Sequence, residues 1–215
     1  MTNDKDTRQE AIQFLIAEYN ELSQDTRRLR QEGTNRLNFL VTITSSLLTV
    51  LAFFSQGQPS ADFFFQAVSI AILLLLVLIG LDTFNTIIGR DINTDRNVRA
   101  TGRIRLFFSK QSPEIRDYLT WRCHDEPTSW VTKNNSTIRK TVQYILSLNC
   151  ALIVSLLLNL AGSNSAISVI SGVIVFVGAF NSFQAYAMRR FKSALLKAQE
   201  TIRFPKDPDY ANEGK

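Results

Sequence analysis

The chain has 215 residues, 45% hydrophobic and 20% charged, with 24 Lys and Arg against 19 Asp and Glu for a net charge of +5. Such totals fit a globular domain or a small membrane bundle equally, but their distribution does not: the 53 residues from Leu37 to Gly89 hold no Lys or Arg, and the 48 from Thr141 to Met188 hold no charge at all. The basic excess flanks these apolar windows, where each Lys or Arg gains about 1 kcal/mol against an anionic leaflet, so the charge gives no reason to expect a nucleic-acid partner.

Residues 1–36 include seven acids and resemble no cleavable signal, so the first span is expected to act as the uncleaved insertion signal. Ile12, Leu15, Tyr19, Leu22, Thr26 and Leu29 recur at a 3,4,3,4,3 spacing, a short heptad seam. The seam serves either an intermolecular coiled coil or packing on the membrane or on the chain's own helices. Gly33 is expected to loosen this helix before Arg36 anchors the first span at the headgroups.

Residues 37–89 form the first predicted transmembrane hairpin, with spans Leu37 to Phe54 and Phe63 to Phe84 joined by a turn from Ser55 to Asp62. Phe63 to Phe84 organises the chain. Its length of about 33 Å exceeds a hydrocarbon core of about 30 Å, and its run from Leu73 to Leu78 has no polar face to offer water. In the first span, Asn38, Thr42, Ser45 and Thr49 fall along one face. Two readings stand: small hydroxyl residues let helices approach closely, or they line a narrow wet path in an oligomer. Asp82 is an acid within an apolar span, a candidate functional position together with Asn85; the alternative is an interfacial acid paired with Arg90 or Arg36.

Residues 90–141 are the largest polar segment. Asp91 to Lys110 is expected to continue the second span as a cytoplasmic helix, with Arg96, Arg99 and Arg103 on one face. Ser112, Pro113 and Glu114 read as the N-cap and first turn of a short helix through Trp121. Cys123, His124, Asp125 and Glu126 are four adjacent potential ligands, but neighbours in sequence cannot all converge on one ion. The expected role is local, with an acid that caps a turn or pairs with Arg103 or Arg105. Arg96, Arg99, Arg103, Arg105, His124 and Asp125 are the candidate interaction residues of this segment. With one histidine, no glycine-rich phosphate loop and no H-E-x-x-H motif, no enzyme, metal or cofactor is expected.

Residues 142–188 give a second hairpin, spans Val142 to Leu160 and Ala166 to Tyr186, with Asn149, Asn159, Ser168, Gly172, Gly178, Asn181 and Gln184 as packing positions. Residues 189–215 form a basic amphipathic helix that Pro205 and Pro208 end, leaving a disordered tail. The basic residues number 6 before the first span, 11 between the second and third and 7 after the fourth, with none in either turn. The positive-inside rule therefore puts both termini and the middle segment in the cytoplasm. Cys123 and Cys150 lie at different depths and no disulfide is expected. The predicted fold is all-α, an integral membrane four-helix bundle of two transmembrane hairpins with cytoplasmic helical extensions.

The run Arg103-Ile-Arg-Leu-Phe-Phe, followed by Pro113-Glu-Ile, Tyr118-Leu and His124-Asp-Glu-Pro between two hairpins, resembles a group of bacterial four-span proteins of unassigned activity. The plan of a cytoplasmic helix leading into a hairpin and a trailing helix is similar to the SLATT membrane proteins, from which this chain departs by its second hairpin. That resemblance implies an oligomeric, pore-like or signal-responsive effector of the bacterial inner membrane. The alternative is a non-conducting anchor that recruits a cytoplasmic partner. Partners expected on either reading are the lipid bilayer, further copies of the chain, and a cytoplasmic protein or small-molecule signal.

Overall fold

A computed structural model describes residues 2–57, 63–119, 122–133 and 135–205. It is all-helical, with no strand among the described residues: α1 (Thr2–Gly57), α2 (Phe63–Gln111), a 3-10 turn (Pro113–Tyr118), α3 (Ser129–Thr132), α4 (Thr137–Leu160) and α5 (Ser165–Glu200). Four helical stretches are long and apolar enough to cross a membrane, and each contains one of the predicted spans. Gly162 ends α4 with φ +78, and the amides of Gly162 and Ser163 donate to the carbonyls of Asn159 and Leu158. This Schellman arrangement suits a residue without Cβ, and it makes the second predicted turn.

The chain divides into an apolar unit, Glu32–Gly89 and Ser136–Arg190, and a polar unit, Met1–Gln31, Arg90–Asn135 and Phe191–Lys215. In the apolar unit α2 touches each of the other three helices. Arg36 of α1 reaches Asp82 at 3.4 Å, Gly80 lies under Leu146 of α4, and Phe84 packs edge-on against Phe183 of α5 at 5.7 Å. Leu73, Leu76, Phe84, Ile87 and Ile88 are almost wholly enclosed as a result. The α4–α5 contact is made by small residues. Ser168 is buried, its carbonyl accepts from Ser155 Oγ at 3.0 Å, and a Cβ on Gly172 would collide with that Oγ.

Several expectations change. Gly33 does not loosen α1, which runs unbroken with Gly33 buried inside it; a single helical glycine costs only about 1 kcal/mol against alanine, too little to break a helix of this length. The segment after Ser112 is a 3-10 turn, with Ile115 N donating to Ser112 O at 3.1 Å; its predicted end, Trp121, lies outside the described residues. So do residues 58–62 of the first turn and residues 206–215 of the tail. Gly178 and Asn181 are exposed rather than at a helix contact, because they fall off the face that presents Ser168 and Gly172.

The heptad seam is turned toward its own chain. Ile12, Leu15, Tyr19, Leu22, Thr26 and Leu29 are all half-buried in the polar unit, where Tyr19 accepts a hydrogen bond from Arg105 at 2.8 Å and Asp25 one from Asn97 at 2.6 Å. An intermolecular coiled coil is not needed to cover it. Leu15→Glu with Leu22→Glu is therefore expected to lower the melting temperature of the detergent-solubilised protein and to leave its mass unchanged; a fall in mass would restore the intermolecular seam.

Candidate functional site

Asp125 is the centre of the polar unit. Its side chain is fully enclosed and accepts three hydrogen bonds: from Arg103 Nε at 2.8 Å, from the Arg203 amide at 3.0 Å and from the Phe204 amide at 2.9 Å. Its own amide donates to Phe204 O at 3.1 Å. Arg99, also buried, donates through Nε to the Asp125 carbonyl and through Nη2 to Ala198 O, both at 2.7 Å. Thr201 joins both arginines, its hydroxyl accepting from Arg99 and its carbonyl from Arg103. The carboxylate and guanidinium pair thus fasten the middle segment to the chain leaving α5.

Desolvation by burial pushes the Asp125 carboxyl up, but the Arg203 and Phe204 amides and Arg103 together outweigh it and hold it below the usual carboxylate range. An enclosed carboxylate that already accepts three hydrogen bonds has a structural role. The segment that carries it is fixed from beneath as well. A Cβ on Gly102 would overlap the His124 carbonyl oxygen, so only glycine lets the loop rest on α2. Asp95 of α2 then takes the Thr128 amide at 2.6 Å and hydroxyl at 2.5 Å, which replaces the side-chain cap that Thr128 would otherwise give α3.

The predicted interaction residues separate accordingly. Arg99, Arg103 and Asp125 converge; Arg96 is exposed. Arg105 turns to the other side, donating to Tyr19 with its guanidinium 5.3 Å from that ring centroid. His124 is half-buried and its Nδ1 accepts from the Glu126 amide at 3.3 Å. Of the two predicted partners for Asp125, Arg103 is the one observed. The role of residues 198–204 had no sequence signal, because, the Thr201 hydroxyl apart, backbone groups make the contacts. Among the described residues no three His, Cys, Asp or Glu side chains group as metal ligands.

The polar positions of the apolar unit are rearranged with respect to the sequence-based expectation. Thr42, Ser45 and Thr49 are exposed, and Thr49 Oγ1 bonds back to Ser45 O at 2.8 Å. Asp82 is 77% exposed, paired with Arg36; Arg90 pairs instead with Asp91. Asn85 Oδ1 accepts from the Tyr186 hydroxyl at 3.0 Å. The interior holds a different set: Thr44, Gln66, Ser69, Thr83, Arg139, Gln143, Ser147 and Asn149 are buried. Ser69 and Ser147 satisfy themselves on the carbonyls of Phe65 and Gln143, whereas Asn149 Nδ2 and Oδ1, Gln143 Nε2 and Thr44 Oγ1 have no hydrogen-bond partner. Asn149 is the thirteenth of the 24 residues of α4, its midpoint. An enclosed amide unpaired at both ends costs about 1–3 kcal/mol.

No protein-family model matches the chain, and no curated protein and no solved structure is significantly similar to it.

Proposed function

We propose that the chain is a multi-pass protein of the bacterial inner membrane whose four spans form a bundle that passes small polar species in response to a cytoplasmic signal. The observation that carries this reading is Asn149, enclosed and unpaired at the middle of an apolar helix, with Gln143 and Thr44 also unpaired inside the same unit. Polar groups at such depth are expensive in hydrocarbon and are characteristic of substrate and ion pathways. The apolar windows of α1 and α5 are only 11% buried, against 28% and 33% for the other two. In water these would be large sticky faces; lipid covers them at no cost. The exposed face with Thr42, Ser45 and Thr49 is the one on which copies of the chain would meet.

The orientation rests on the basic residues, which flank the spans and avoid both turns. A reporter fused after Lys215 is expected to be active only if it is a cytoplasmic type, and a cysteine introduced at Gln58 to react with an impermeant label from outside. Activity of a periplasmic reporter at the C-terminus would reverse the arrangement.

A second reading, the non-conducting anchor, is favoured by exposed apolar side chains in the polar unit, where Phe14, Phe107 and Tyr118 are 67%, 40% and 83% exposed. Flux measured with purified protein in liposomes separates the two, since an anchor passes nothing.

A further inference from the structure

Thr44 Oγ1, Gln143 Nε2 and both ends of the Asn149 amide, enclosed in the apolar unit without a hydrogen-bond partner, are uncharged and offer donors and acceptors alike. Thr44 lies seven residues into the span that begins at Leu37, and Asn149 seven into the span that begins at Val142. At about 1.5 Å per residue each stands about 10 Å from the start of its span, with Gln143 at the mouth. Among the described residues of this unit no acid is buried, since Glu32 and Asp82 are exposed. The one buried cation among them is Arg139, the third residue of α4, which has interactions of its own. The four spans run as unbroken helices, so within them the carbonyls are taken up by intrahelical bonds and no half-helix end points inward.

We propose that the path admits small uncharged polar solutes, of the class of urea and short polyols, and rejects ions of both signs. An ion entering such an interior gives up its hydration shell and finds neither a counter-charge nor a ring of free carbonyls in exchange. A small uncharged solute gives up only hydrogen bonds, which neutral amides and a hydroxyl return. Asn149, with Nδ2 and Oδ1 both open, meets a urea-type amide or a diol with a donor and an acceptor at once. This inference rests on the membrane-pathway reading and names what that pathway carries.

The test uses the purified full chain in phosphatidylcholine liposomes, where entry of urea and of glycerol is followed by light scattering after rapid mixing; sodium and chloride currents are recorded in planar bilayers of the same lipid. Both solutes are expected to equilibrate at least tenfold faster than in protein-free liposomes, with no current above that of the bare bilayer. Asn149→Leu should slow urea entry about tenfold, and Thr44→Val, which keeps the shape and removes the hydroxyl, about threefold, neither with loss of melting temperature. If Asn149→Leu fails to insert, Thr44→Val decides alone. Sodium or chloride currents that accompany urea entry would overturn the selectivity and leave the pathway standing. Neither entry nor current would remove the pathway and this inference with it. Urea entry at the native rate in the inserted variants would also overturn the proposal, because the path would then not run past these groups.

Discussion

Replacing Asp125 with alanine is expected to release residues 198–204 from the middle segment at a cost of about 1–3 kcal/mol, the range for donors left without their partner, since Arg103 is 34% exposed and is hydrated when the carboxylate is gone. Here the loss strands the amides of Arg203 and Phe204 together. Those amides give a local reading of the effect: their hydrogen exchange is expected to be slow in the native protein and fast in the variant, with the amides of α4 unaffected. Unchanged protection at Arg203 and Phe204 would mean the fastening does not depend on the carboxylate. A pH dependence follows with a definite sign. The folded-state carboxyl lies below its ordinary value, so its stabilisation is fully present above the unfolded value of about 3.9 and is lost as pH falls through the folded one. The native protein should lose protection at these amides in acid, and the alanine variant should show no such step.

The membrane-length helices were legible because hydropathy depends on composition alone: Phe63, Leu160 and the turn at Gly162 fall where the windows without Lys or Arg and the turn residues place them. That an acid of this cluster would either cap a turn or meet Arg103 or Arg105 was legible too; that it is Asp125 on Arg103 was not. What was not legible is the direction in which each helix face points. The Thr42, Ser45 and Thr49 stripe and the Asn149, Gln143 and Thr44 set both read as small or polar residues on helices. Only the packing of α2 against all three neighbours decides that the stripe is turned outward and the Asn149 set inward. Likewise Asp82 reads as intramembrane from its position in the span, but its side chain leaves the interior for Arg36. In that exposed pair the attraction contributes about 0–1 kcal/mol, and its loss should matter little.

Asn149 carries the larger expectation. Asn149→Leu replaces an enclosed, unpaired amide with an apolar group of similar size, so the fold in a bilayer should gain about 1–3 kcal/mol, the cost of the unsatisfied group. A residue kept only for packing would show no penalty elsewhere. A residue kept for passage should lose function as stability rises, the opposite of what a damaged fold gives. The most direct measurement is the release of a small polar solute from liposomes holding the purified native protein or Asn149→Leu at equal insertion. The membrane-pathway account predicts release from the native liposomes and at least a tenfold slower rate from the variant, which melts higher. No release from native liposomes, or equal rates from both, would contradict it.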